Sequence, residues 1–240
     1  MYCFVLLKVV LYFFMKFYLF YIALFIFLQG KAQSTSISIQ WKPVYKQIPL
    51  KLNTNYTYYN DSILFTTLKF YVTNVTLLNN DSIVYQFFQK QFLIDIEKPL
   101  SLILKSSFKK PLKFNKISFN VGVDSATNVS GAMDKALDPI HGMYWTWQSG
   151  YINFKVEGKS SACSSSQNKF GFHIGGYQFP YNTLQKCSFN ILSNSPVVIH
   201  VNIDALMQHI HLKDEQFIMS TNKRGVEIAA TIANIFTVAQ

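Results

Sequence analysis

Apolar residues recur at every second position in one short segment after another of this 240-residue chain. That period constrains its fold more than any other feature, because successive side chains of a strand point to opposite faces. Ile117, Phe119, Val121 and Val123 alternate with Ser118, Asn120 and Gly122. Leu68, Phe70 and Val72 alternate with Lys69, Tyr71 and Thr73, and the parity then slips at Asn74, so that Val75 and Leu77 continue on the other register. One slipped residue in a strand marks a bulge. The same alternation runs through Ile37, Ile39 and Trp41, through Phe92, Ile94 and Ile96, and through Ile152, Phe154 and Val156. It returns in Phe170, Phe172 and Ile174, with Lys169, Gly171 and His173 opposite, and in Val197, Ile199, Val201 and Ile203. Turn-forming stretches such as Asn79-Asn80-Asp81-Ser82 and the Ser-rich 158–168 separate these segments, and residues 53–62 read as a loop.

Helical signals are confined to a turn at 132–137 and to the tail. Asp204 can cap a short helix carrying Leu206, Met207 and Ile210, and Ile228, Ile232 and Ile235 recur at helical spacing within 223–236. The pattern predicts an all-β fold, an antiparallel β-sandwich with short C-terminal helices.

The N-terminus has its own logic. Residues 17–28 form an uncharged apolar run preceded by Lys16 and followed by Gly30 and Ala32, which suit the small positions before a signal cleavage site. Residues 1–32 therefore read as a signal peptide, with Met15 as a possible true start. A retained anchor is the competing reading, but Lys16 interrupts the span of about 20 apolar residues that a membrane requires. Residues 33–240 are then a single exported domain that does not span a membrane. Without Lys8, Lys16 and Lys31 it has 19 basic residues against 12 acidic ones. Lys105, Lys109, Lys110, Lys113 and Lys116 are the densest basic group, and they fit a solvated loop better than the basic stripe of a nucleic-acid binder. Cys163 and Cys187 remain in the exported chain, where two cysteines are expected to pair as a disulfide.

Candidate chemistry gathers in Asp138-Pro-Ile-His-Gly-Met-Tyr-Trp-Thr-Trp-Gln-Ser-Gly-Tyr151. As one extended strand this block puts Met143, Trp145 and Trp147 on one face. It serves either as an aromatic plug in the core or as a platform of Tyr144, Trp145, Trp147 and Tyr151. His173, between Gly171 and Gly175, has an unobstructed ring suited to a metal, and His141 beside the tryptophans is a second candidate ligand. His209 and His211 chelate only from an extended backbone, because on a helix their rings diverge by about 200°. Asp124, Asp134 and Asp138 match no calcium-loop spacing, and no motif of a hydrolase, zinc protease or P-loop is present, so the chain reads as non-catalytic.

Several of these segments resemble the MbnP-like family of exported copper-binding proteins. They are Ile117 to Ser125, Gly142-Met-Tyr-Trp-Thr-Trp-Gln-Ser-Gly-Tyr151 with the strand to Glu157-Gly158, and Phe172-His-Ile-Gly-Gly176. Leu68 to Asn74 and the closing Ala-Asn-Ile-Phe are similar too. The resemblance implies a periplasmic or secreted β-rich protein in which histidines and a tryptophan oxidised to kynurenine hold copper. It also implies a di-haem, peroxidase-like partner of the MbnH type that makes the modification. Residue by residue, Trp145 or Trp147 would be oxidised and His173 would be a ligand. The family pattern would place a histidine near the end of the first strand, where this chain has Trp41, and His141 is the available substitute. Two functions follow as expectations: copper binding or handling, or a metal-free module whose aromatic platform takes a glycan or a protein.

Overall fold

The computed structural model describes residues 15–18, 35–192 and 196–239. The signal-peptide expectation falls almost wholly outside them. Two compact units divide the chain: Met1–Thr35 with Phe108–Pro111, and Ser36–Ser107 with Leu112–Gln240. The described part of the first is a helical turn at 15–18, Thr35 and the short 108–111 stretch. No described helix is long and apolar enough to cross a membrane.

The second unit is built from two sheets. The smaller runs β15 (Phe236–Val238), β13 (Val197–Asn202), β1 (Thr35–Tyr45) and β2 (Ile48–Pro49), with β7 (Ile103–Phe108) also on β1. The larger runs β12 (Gln185–Asn190), β8 (Lys116–Val121), β4 (Asp61–Asn79), β10 (Gly150–Ser160), β11 (Lys169–Gly175) and β14 (Phe217–Ile218). β3 (Asn55–Tyr58), β5 (Ser82–Gln86) and β6 (Gln91–Asp95) also pair with β4, and β9 (Tyr144–Trp145) pairs with β10. Most pairings are antiparallel, but β1–β13 and β11–β14 are parallel. The sandwich is therefore mixed rather than uniformly antiparallel.

β4 is the spine, and the parity slip read from its sequence is a bulge. Thr73 pairs with Asn120 and Thr76 with Ser118, so Asn74 and Val75 together oppose Phe119, and Asn74 has φ 52°. The extra residue returns Val75 and Leu77 to the face already held by Leu68, Phe70 and Val72, and all five are buried. That face meets the smaller sheet. Phe70 stacks on Phe154 at 5.5 Å and meets Phe236 edge-on at 5.7 Å, while Phe119 meets Trp41 edge-on at 6.1 Å. Trp41 thus belongs to the core between the sheets.

Several local expectations change. The supposed loop at 53–62 contains β3, which forms a hairpin with β4. The first tail helix, α2 (Ile203–Met207), has Asn202 rather than Asp204 at its N-cap position, with no side-chain cap bond, and Asp204 lies inside its first turn. The second, α3 (Lys223–Ile232), begins where the Asn222 side chain accepts from Gly225 N, and it stops before β15. A further short helix, α1 (Ser125–Val129), opens the stretch that lies over the larger sheet. Asp124 caps it, accepting from Thr127 N at 2.8 Å, which gives this carboxylate a structural use in place of a cation.

The expected disulfide is absent: Cys163 and Cys187 are buried free thiols. Cys187 pairs with Phe119, opposite the bulge of β4, whereas Cys163 follows Ser160, which pairs with Ile63. About ten residues of β4 separate those two levels, roughly 30 Å at strand rise. A disulfide spans no more than about 7 Å between Cα atoms.

Candidate functional site

The outward face of the larger sheet carries a row of charged residues in cross-strand register. Asp95 of β6 pairs with Lys69 of β4, Lys69 with Lys155 of β10, and Lys155 with His173 of β11. The next row holds Thr67, Glu157, Gly171 and Phe217. Two lysines directly opposite one another repel, and each here has its own carboxylate. Lys69 Nζ lies 3.2 Å from Asp95 Oδ2, an ion-pair contact without hydrogen-bond alignment, and Lys155 Nζ lies 3.4 Å from Glu157 Oε1. The ammonium groups also donate to consecutive carbonyls of the overlying 3-10 turn Pro139–His141: Lys69 to His141 O at 3.5 Å and Lys155 to Gly142 O at 3.2 Å. Gly142 ends that turn in the left-handed region (φ 66°), a conformation glycine adopts without strain. The lysines thus pin the cover to the sheet.

His173 sits at the end of this row, 9% exposed. Its Nε2–H donates to Glu157 Oε1 at 2.7 Å, and Thr67 Oγ1 donates to Glu157 Oε2 at 2.8 Å. The His173 hydrogen bond pulls the Glu157 carboxyl down to about 2; desolvation opposes this, and the Thr67 hydroxyl and Lys155 reinforce it. A carboxylate only accepts, so Nε2 is the donor of this pair, and Nδ1 is the ring nitrogen that the pair leaves unused. Carboxylates orient metal-binding imidazoles in this way.

Trp145 reaches the same face. A β-carbon on Gly175 would lie 2.7 Å from Trp145 Cζ3, so the indole covers Gly175, which shares the His173 face by alternation. Trp145 is 1% exposed and packs with Tyr71, Val123, Leu137, Met143, Tyr151 and Ile152 in a second, smaller core beneath the cover. Its Nε1–H is buried without a hydrogen-bond partner, an omission that usually costs about 1–3 kcal/mol. On the other side of His173, the Met219 methyl lies 3.0 Å from where a β-carbon on Gly171 would be.

The remaining sequence candidates separate. His141 turns its ring away to Lys135 O, 2.8 Å from Nε2, and only its carbonyl meets the sheet row. Trp147 is 68% exposed, because β9 ends at Trp145 and residues 146–149 turn. The single-strand reading that put both tryptophans on one face is therefore corrected, although their rings remain 6.3 Å apart. Tyr151 is buried, with its hydroxyl tied to Met133 N and Gly131 O, and Tyr144 is half-buried against it. The four aromatics therefore make no common surface. His209 and His211 follow α2 without forming a metal cluster; among the described residues no group of three or more His, Cys, Asp or Glu side chains could hold an ion.

Glu157, Lys69, Lys155, Asp95 and Met219 were not singled out by sequence. The first three carry a usable signal: charges at outward positions of strands that also carry His173 or the bulge. Two cavities flank His173 along β11. One, of about 320 Å³, touches Glu157, Gly171, Phe217 and Met219; the other, of about 270 Å³, touches Trp145, Gln148, Gly176, Phe179 and Tyr181.

The fold and the sequence can be set against known proteins. The solved structure of MbnP from Methylosinus trichosporium is similar, with a TM-score of 0.57 and 10% sequence identity over 75% of this chain and 80% of that one. At that identity the likeness speaks to the fold. No curated protein matches the chain in sequence. The sequence model of the MbnP family matches residues 34–223, which include β4, the Trp145 cover and the His173 strand. The chain belongs to the MbnP family.

Proposed function

We propose that this protein is exported and handles copper without catalysing a reaction, and that His173 and Trp145 mark the site. The observation that carries the reading is the His173–Glu157 pair at 2.7 Å on the sheet face that Trp145 covers. The donor chemistry fits copper better than a harder ion. One oriented imidazole offers Nδ1, a borderline donor of the kind that suits copper.

Trp145 is the better candidate of the two tryptophans for oxidation. Its indole N–H lacks a partner, and it lies on the ligand face. Conversion to kynurenine, with peroxide as the oxidant used by the partner, would break the pyrrole C2–C3 bond and put an oxygen on each carbon; hydrolysis would then release C2 as formate and leave an aromatic amine as a possible donor. Trp147, exposed and 6.3 Å away, is what a di-haem, peroxidase-like partner of the MbnH type would meet first. The bound metal would be copper held at an imidazole, and the role of the chain's own residues is to orient that imidazole and to shelter it beneath the pinned cover. The alternative of a metal-free aromatic platform is weakened by the burial of Trp145 and Tyr151.

The test is metal analysis of wild type and His173→Asn purified from a host that exports the protein. Copper in the wild type that His173→Asn abolishes supports the reading. Equal copper in both, or none in the wild type, overturns it.

A further inference from the structure

We infer that the thioether of Met219 is a second ligand of the His173 site, standing in for the second imidazole that this chain lacks. This inference rests on the copper reading above. The parallel pairing of β11 with β14 matches Gly171 to Phe217 and Phe172 to Ile218, and the same register continued one residue past the end of β14 would set Met219 opposite His173. Alternation puts Phe217 and Met219 on the outward face with Gly171 and His173. The side-chain contact agrees: the Met219 methyl lies over Gly171, one step along that face from the imidazole, where the glycine leaves room for it.

Met219 also differs from the packing methionines. Met143 and Met207 are buried at 0% and 1% exposure, whereas Met219 is 39% exposed and borders the cavity that Glu157 lines. Its three rotatable side-chain bonds let the sulfur swing from Gly171 toward His173 Nδ1. β1 contains no histidine to act as a second imidazole, and the His141 ring is held by Lys135 O. A thioether with an imidazole favours Cu(I) over Zn(II) or a hard cation.

The test uses protein purified from the exporting host, stripped of copper and reloaded anaerobically with Cu(I) against a chromogenic Cu(I) chelator. Affinity and the X-ray absorption fine structure at the copper edge are read for wild type, Met219→Leu, Met133→Leu and His173→Asn. Thermal unfolding confirms that each variant is folded. The expected result is a Cu–S neighbour in wild type and Met133→Leu. In Met219→Leu it is lost, and affinity falls about tenfold or more, equivalent to about 1.4 kcal/mol. If Met219→Leu keeps wild-type affinity and His173→Asn loses it, the thioether assignment is wrong and the copper reading stands. If wild type binds no Cu(I), or His173→Asn binds as wild type does, both fall together.

Discussion

Replacing Gly175 by alanine puts a methyl group where two rigid neighbours already sit. The new carbon would lie 2.5 Å from the Tyr151 carbonyl oxygen and 2.7 Å from the Trp145 ring. One is backbone of β10 and the other a fully buried indole, so neither yields cheaply. Overpacking of this kind costs about 1–3 kcal/mol, offset by the roughly 0.5–1 kcal/mol that alanine ordinarily gains over glycine in a strand. The net expectation is a loss of up to about 2.5 kcal/mol, centred near 1 kcal/mol, or a fall in Tm of up to about 10 °C for a domain of this size. Gly171→Ala supplies the internal comparison on the same strand and face. Its nearest neighbour is the free end of Met219 at 3.0 Å, which can swing aside, so that variant is expected to be neutral or up to about 1 kcal/mol more stable. Urea unfolding of both variants measures the difference. If Gly175→Ala is as stable as Gly171→Ala, the indole does not cover β11, and the placement of Trp145 beside His173 fails with it.

Three further outcomes can be measured on the metal-free protein. Glu157 has its folded pKa lowered to about 2 from 4.5, so its stabilising effect is present above about pH 4.5 and is lost as pH falls toward 2. The full shift corresponds to about 3 kcal/mol, and with the side chain 30% exposed, screening brings it to about 1–2 kcal/mol. Glu157→Gln should remove that part of the acid sensitivity, and urea unfolding curves for the two proteins that stay parallel from pH 6 to pH 3 would contradict the pairing. Burial raises both thiols, Cys187 to about 12, so neither should alkylate at pH 8 in folded protein, and both should react in denaturant without reductant. Failure of the denatured, unreduced protein to react would restore the disulfide. Asp124→Ala should cost about 1 kcal/mol through loss of the α1 cap, and Asp124→Asn much less; equal stability of the two variants in urea would refute the cap.

The strands were legible because burial on one face of a sheet imposes a period of two, and even the Asn74 bulge showed as a parity slip. The aromatic block was misread at one point. Alternation holds only while the chain stays extended, and the turn after Trp145 sends Trp147 to solvent while its neighbour is buried. His173 could be singled out by its glycine neighbours, but its partners could not. Glu157 lies one strand away, and Met219 arrives by a parallel pairing of two-residue β14 that no local pattern encodes. The disulfide expectation failed for a similar reason. Sequence separation between Cys163 and Cys187 is short, yet the long spine of β4 holds their levels far apart.

Anomalous diffraction at the copper edge, from crystals of protein purified in its exporting host, tests the central claim most directly. The account predicts a peak within bonding distance of His173 Nδ1, on the outward face of β11 between Trp145 and Met219. A peak elsewhere, or copper-free protein whose Trp145 is an intact indole, would contradict it.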